Sequence, residues 1–512
     1  MTSAAARHWA DEIADAVLQR QAHHVISTGI TPSGEFHVGH LREVLTAEAV
    51  YRALKERGVS CRFHYVADSM DPLRHVYPFL DPARYREAVG KPLCDIPCPC
   101  DGHPSYAEHY LEPFLQAVQK LGITLEVLRA DALYRQGKLD AQILTALQHT
   151  QTIKRILHEE TGREVAEDWS PFTPLCAACG RLTTTRVTGF DVAAKTVSYA
   201  CRCGHRDTAP VSQAGKLTWR VDWPARWQAL GVTIEPFGKD HASRGGSYDT
   251  GQRIVREVFG GEPPYPIPYE WIALAGQGDM SSSKGNLISI FNLTQTVPPE
   301  VVRYMIFRVR PMRHLVFDPG LPLLNLVDEY DNLQGSQRNA RAAELARLDG
   351  TPPLGFPFKH LVTLVQLTGG DADKITAILK RQRLPVPPRQ VLESRIAYAR
   401  HWLAHFCPPQ LRVELQDTLP PAVAQLSPSQ RQALGELAQR LQPEMDGDAI
   451  HALVYTLAQA CGLPAKELFA AIYLAFLGQP QGPRAGWFLS SLDFDFVRRR
   501  LQEAAQGQGE AA

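Results

Sequence analysis

His23-His-Val-Ile-Ser-Thr-Gly-Ile30, running directly into Thr31-Pro-Ser-Gly-Glu-Phe-His-Val-Gly-His40, decides the fold of this 512-residue chain. The first eight residues read as a strand. Leu41 to Gly58 reads as a helix, with Val44, Ala47, Tyr51 and Leu54 on one face. Strand, glycine-containing turn and helix N-terminus is where a Rossmann-type sheet receives a nucleotide. Backbone N–H groups and the positive end of the helix dipole face the phosphates there. His37 and His40, three residues apart with Gly39 between them, are placed to donate hydrogen bonds to charge on a phosphate. Taken alone, a His-x-x-His pair also reads as two ordinary histidines at a helix start. The preceding Thr-Pro-Ser-Gly and the strand–turn–helix context favour the nucleotide.

The stretch Pro32 to His40 resembles the His-Ile-Gly-His motif of class I aminoacyl-tRNA synthetases. Gly278-Asp-Met-Ser-Ser-Ser-Lys-Gly-Asn286 resembles the mobile Lys-Met-Ser-Lys-Ser loop of that class, in the Met-Ser-Ser-Ser-Lys-Gly form of class I lysyl-tRNA synthetases. Trp219-Arg-Val-Asp-Trp-Pro-Ala-Arg-Trp227, Glu235-Pro-Phe-Gly-Lys-Asp-His241 and Gly245-Gly-Ser-Tyr-Asp-Thr-Gly251 look like the amino-acid pocket of the lysyl family. The resemblance implies that His37, His40, Ser281, Ser282, Ser283 and Lys284 act on the triphosphate. It implies ATP contacts at Pro32, Ser33, Gly34, Val38, Gly39, Asp279 and Met280. It further implies lysine contacts at Gly29, Thr31, Trp219, Asp240, His241 and Tyr269. Asp279 stands where the family has lysine. A carboxylate about 4 Å from a phosphate charge is repelled by ~1 kcal/mol in water and by ~4 at an effective dielectric near 20. Asp279 therefore points away, meets a magnesium ion, or weakens activation.

Free lysine carries two cationic groups and one carboxylate. Its site needs an acid for the ε-ammonium and an aromatic wall for the four-carbon stem. Asp222, Asp240, Glu35 and Asp68 are available acids, and the sequence does not choose among them.

Cys176-Ala-Ala-Cys179 and Cys201-Arg-Cys203, 21 residues apart around a plausible hairpin, read as a structural zinc ribbon with His205 as a spare ligand. A second cluster, Cys98-Pro-Cys100-Asp-Gly-His103 with His109 and Cys94 nearby, is either another metal site or a buried thiol cluster with two surface histidines. Lys plus Arg equals Asp plus Glu at 54 each, so any RNA contact must use a local basic face. No apolar run approaches the roughly 18 residues of a membrane span, and Met1 to Arg7 lacks the apolar core of a signal peptide. A cytoplasmic location is expected, with no membrane partner.

The expected class is α/β: a Rossmann-type nucleotide-binding domain with a zinc-bearing insertion, then an all-α C-terminal domain. Residues 1–70 would form the first half of the nucleotide fold and 71–215 an insertion that, by resemblance, receives the acceptor end of tRNA. Residues 216–295 would complete the nucleotide fold, with Pro266 to Ala275 as its last strand. Residues 296–512 read as helical: Leu392, Ile396, Ala399, Leu403 and Phe406 recur at steps of three and four. Ser427-Pro-Ser-Gln starts a helix carrying Leu434, Leu437 and Leu441, and Leu468, Ala471, Ile472 and Ala475 mark another. Resemblance makes this the anticodon-binding domain. The implied function is ligation of L-lysine to tRNA(Lys) through lysyl-adenylate, with ATP, Mg2+ and structural Zn2+, by a monomer. The alternatives are a paralogue that serves a non-tRNA acceptor and a non-catalytic RNA-binding homologue.

Overall fold

The computed structural model describes residues 7–280, 287–333, 339–348 and 353–507. They form two compact units. The first takes the described residues to Thr294 together with Val302–Phe317 and Asn339–Arg347; the second takes Gln295–Val301, Asp318 to 333 and Leu348 onward.

In the first unit, helix α1 (Trp9–Leu18) buries Trp9, Ala10, Ala14 and Val17 along one stripe. Strand β1 (His23–Ile30) follows, then helix α2 (Leu41–Glu56) and strand β2 (Ser60–Ala67). Helix α3 (Tyr106–Lys120), strand β3 (Glu126–Arg129), helix α4 (Trp219–Leu230), strand β4 (Ile234–Gly238), helix α5 (Ser247–Glu257) and strand β5 (Tyr265–Tyr269) complete the frame. The five strands lie in the order β5-β4-β1-β2-β3, all parallel. His23 pairs with Ser60 and the ladder runs unbroken to Ile30 opposite Ala67. Parallel strands need helical crossovers, and these cover the sheet. That explains why α2 is buried on nearly every side, Arg42, Glu43 and Glu48 included. The chain leaves β1 toward β2 and β3, then returns to its other side with β4 and β5. The carboxyl ends of β1 and β4 thus flank the crevice at the switch in strand order, where such sheets bind ligands.

The sequence boundaries differ from the fold at three places. Glu126–Arg129, within the expected insertion, is the edge strand of the central sheet, paired with β2 from His64 to Ala67. Pro266 to Ala275 is two strands, not one. Tyr265–Tyr269 belongs to the central sheet, and Ile272–Leu274 joins Gly278–Asp279 and Leu315–Phe317 in a separate small sheet. Leu315–Phe317 thereby makes part of the region beyond 296 belong to the first unit. Between β3 and α4 lies an antiparallel three-stranded sheet, Thr185–Asp191, Thr196–Cys201 and Arg206–Pro210, which contains the expected hairpin.

The second unit is helical, as its periodicity implies. Leu392, Ile396 and Ala399 are buried, but Trp402 takes the next inward position while Leu403 is half-buried. Ser427 caps Pro428–Arg440 reciprocally with Gln430, and Leu434, Leu437, Leu468, Ala471, Ile472 and Ala475 meet in one core. Among the described residues, no single helix is long and apolar enough to cross a membrane.

One buried cation ties the first unit together. Arg303, fully buried, pairs with Glu48 at 3.0 Å and donates to the carbonyls of Leu121 and Ala346 at 3.0 and 3.1 Å. Replacing it strands these acceptors. Arg303→Met is expected to destabilise the protein by about 3–5 kcal/mol in urea denaturation.

Candidate active site

The turn after β1 is built by its own histidines. His37 caps the short helical turn Val38–His40, its Nδ1 accepting from the Gly39 N–H at 3.1 Å. His40 Nδ1 accepts from the His37 N–H at 3.0 Å. Both Nδ1 atoms act as acceptors, so in the neutral rings the proton sits on Nε2. Burial depresses the pKa of His37 to about 4 and that of His40 well below its ordinary value, with His37 adding to the second shift. The rings lie 3.9 Å apart between centroids, a pair of neutral Nε2–H donors. Gly39 has a steric reason to be glycine: a Cβ there would sit 2.7 Å from His37 Cε1. Pro32, Gly34 and Val38 are buried in the same turn.

The described residues on either side of the serine-rich stretch are held, the later ones by this turn. Gly278–Asp279 pairs with Ala273 and Leu274, and Met280 is buried. On the far side, Val38 N–H donates to Ile288 O at 3.0 Å, Ile290 N–H donates to Phe36 O at 3.1 Å, and His37 bridges Ser289. Ser281, Ser282, Ser283 and Lys284 lie outside the described residues. Asp279 is exposed and its charge acts on Lys239, which pairs with Glu270 at 2.6 Å and lies 5.1 Å from the centre of the Trp271 ring.

Beside the turn, a hollow opens at the ends of β1 and β4. Gly29, Glu43, Asp68, Trp219, Trp223, Arg226, Glu235 and His241 line it. Trp219 stacks on Trp223 at 5.3 Å and 15°, and His241 lies 5.8 Å from Trp219. Glu43 accepts from Gly29 N–H at 2.8 Å and from the Tyr269 hydroxyl at 2.6 Å. Glu235 accepts from the indoles of Trp223 and Trp227 at 2.7 and 2.5 Å. Burial raises Glu43 to about 7 and Glu235 to about 8, against these donors. Asp68 pairs with Arg226 at 2.6 Å. Arg226 also holds Asp222, which Lys216 approaches, and Lys216 meets Asp71, which accepts from Thr31 Oγ1 at 2.8 Å. Glu43, Asp68 and Glu235 against Arg226 make the lining acidic, with Asp222, Asp71 and Lys216 paired behind it.

The acids that the sequence offered stand in different surroundings. Asp222 is wholly buried, shared between Arg226 and the Tyr134 hydroxyl, and does not line the hollow. Glu35 and Asp240 are exposed, and Asp240 flanks the entrance beside His241. Asp68 lines the hollow but is engaged by Arg226. Thr31 is turned to Asp71, and Tyr269 reaches the hollow through Glu43. Glu235, Arg226 and Trp223 lie within the pocket-like stretches without being singled out there, and Glu43 lies outside them all. Glu43 looks like an ordinary acid in a first helical turn, and only its stranding against β1 and β5 reveals it.

Both cysteine groups converge. Around Cys98, Cys100, His103 and His109, all six distances between the two Sγ and two Nδ1 atoms are 3.3–3.4 Å. A regular tetrahedron of that edge has its centre about 2.1 Å from each vertex, the length of a zinc–ligand bond. A buried thiol cluster with surface histidines has no cause to adopt that shape. Cys176, Cys179, Cys201 and Cys203 likewise bring their sulfurs within 4.8 Å of one another, with Cys176–Cys203 at 3.6 Å and Cys179–Cys201 at 3.7 Å. Neither Cys94 nor His205 belongs to these groups of four.

Comparison with known proteins gives the same frame. The family described as tRNA synthetases class I (K) matches residues 7–349, and an anticodon binding domain matches residues 406–505. A lysine–tRNA ligase from Methanosarcina barkeri is 49% identical over 97% of this chain and 98% of its own length. One from Archaeoglobus fulgidus is 45% identical over 97% of this chain and 100% of its own. One from Thermoplasma volcanium is 40% identical over 98% and 99%. With a family match across two-thirds of its length and relatives of this identity end to end, the chain belongs to the class I tRNA synthetases (K).

Proposed function

We propose that this protein is a lysine–tRNA ligase, which activates L-lysine with ATP to lysyl-adenylate and passes it to the 2′-hydroxyl of the terminal adenosine of tRNA(Lys). The observation that carries the reading is the pairing, at one sheet switch point, of two neutral Nε2–H donors with an acidic, tryptophan-walled hollow. In this reading lysine enters the hollow with its stem along Trp219 and His241. Its ε-ammonium meets Glu43, backed by Glu235. ATP lies over Pro32 to His40, with Mg2+ carried on the triphosphate. As the lysine carboxylate attacks the α-phosphorus, charge builds on the phosphoryl oxygens, and His37 and His40 donate to them. Pyrophosphate leaves, escorted by Ser281 to Lys284. The 2′-hydroxyl then attacks the acyl carbon and AMP departs. No enzyme nucleophile is needed; positioning and fixed dipoles lower the barrier.

The same reading gives zinc to both groups of four ligands, the acceptor end of tRNA to the inserted segments that carry them, and the anticodon to the helical second unit. By family resemblance it works as a monomer. A reaction that draws on free tRNA and ATP fits a cytoplasmic location.

Full-length protein with zinc and magnesium is expected to charge bulk tRNA with lysine alone among twenty amino acids; charging with another, or with none, refutes the assignment. Gly39→Ala pushes the His37 ring aside, so lysine-dependent ATP–pyrophosphate exchange should fall roughly 100-fold, the loss typical of an oxyanion donor, with folding retained by circular dichroism.

Lysine binding should depend on pH. Glu43 is mostly protonated below about 7 in the empty hollow, and Glu235 below about 8. An ammonium requires the carboxylates, so protons leave on binding and affinity falls as pH falls from 8 to 6, by about tenfold per unit for each proton released. Calorimetric titrations of lysine in buffers of different ionisation enthalpy report that proton release. Glu43→Gln should weaken lysine binding roughly 100-fold and flatten the pH dependence.

A further inference from the structure

The head of α3 carries two structures that share one turn of helix. His109, a member of the Cys98 group, sits three residues after Tyr106, on the neighbouring position of the same face. Tyr106 is fully buried, and its hydroxyl donates to the Ser33 carbonyl at 2.7 Å, inside the Thr31-Pro-Ser-Gly turn. Two turns on, Phe114 stacks on Phe36 at 4.3 Å and 18°, and Phe36 meets the His40 ring edge-on at 5.2 Å. One helix therefore grips the nucleotide turn at two points, Ser33 and Phe36. Ser105 caps the first turn of that helix, accepting from Glu108 N–H at 3.3 Å, and Tyr106 N–H donates to Ile96 O at 3.0 Å. Residues 96–109 thus fold back on the helix start, and the ligands Cys98, Cys100 and His103 lie within that fold. The other group of four shares no helix with a residue that touches the turn; its loop comes near Thr31 by a longer route, from Leu182 N–H to Gly90 O and Gly90 N–H to Leu73 O, two residues from Asp71.

We infer that Tyr106 is a positioning residue for the nucleotide turn, and that the ion held by Cys98, Cys100, His103 and His109 fixes the helix end from which Tyr106 acts. A metal at this tetrahedron pins His109 to the 98–103 loop, and so sets the rotation and height of the first turn of α3. The Tyr106 hydroxyl then satisfies the Ser33 carbonyl and holds it out of the space the nucleotide occupies. The two metal groups divide their work: one orders the inserted sheet, the other tunes ATP affinity. The inference rests on the reading of residues 31–40 as the nucleotide site, and its test separates the two.

Binding of N-methylanthraniloyl-ATP to the full chain, with zinc content measured in parallel, provides that test. Tyr106→Phe removes a hydroxyl alone. It should keep two zinc ions per chain, one for each group, bind lysine as before, and bind the nucleotide about 5–10-fold more weakly, the effect of one lost hydrogen bond. In steady state the KM for ATP should rise by that factor while kcat stays within about two-fold. Cys100→Ser should lose one zinc and weaken nucleotide binding at least as much. Cys203→Ser should also lose one zinc yet bind the nucleotide like wild type. Unchanged nucleotide affinity in Tyr106→Phe overturns the inference even if Cys100→Ser fails to fold. Equal weakening in Cys203→Ser overturns the division between the two groups. A wild-type protein that binds no nucleotide sinks both the inference and the reading beneath it.

Discussion

A single carboxylate, that of Glu43, joins three of the elements around the crevice. It belongs to α2, takes the amide of Gly29 at the end of β1, and takes the hydroxyl of Tyr269 at the end of β5. An acid so enclosed is costly unless it is protonated or paired, because its solvation in water has been given up. Its raised pKa expresses that cost in the empty site. The cost is also what gives the hollow a use. A buried acid with two donors and no cation is complementary to an ammonium that water would otherwise hold. Arg226 and Lys216 form their ion pairs with the aspartates behind it and with neither glutamate.

The histidine pair follows the opposite logic. Charged imidazoles would bind a triphosphate strongly in the ground state and gain little as charge moves onto the α-phosphate. Neutral ones, kept so by burial and fixed in tautomer by backbone amides, supply directed N–H groups with little reorganisation. Gly39 serves this arrangement directly, because the space that a Cβ would fill is the space in which the His37 ring turns back to cap its own helix.

What could be read in the sequence was local. The strand at His23–Ile30, the turn, the helix after it and the capping box at Ser427 depend on residues a few positions apart, and they stand where the pattern put them. The cysteine groups were legible because metal ligands come in short pairs. The anionic half of the hollow was not legible. Glu43 meets Tyr269 across 226 residues and Asp68 meets Arg226 across the sheet, so no window of sequence contains either pair. Asp222 is one of the acids that the sequence leaves open, and it is spent on Arg226, Lys216 and Tyr134 instead of facing the hollow. The edge strand Glu126–Arg129 was missed for another reason. It is four residues long and half-exposed, too short to display a period.

The titration of Glu43 and Glu235 near neutrality bears on how the hollow rejects the wrong guest. A pocket whose acids stay ionised penalises any side chain lacking a cation, since the buried charge is left alone, and such sites need no proofreading step. Here the acids can escape that penalty by taking a proton. Discrimination against methionine-like side chains is therefore strongest in alkaline surroundings and erodes as the medium acidifies.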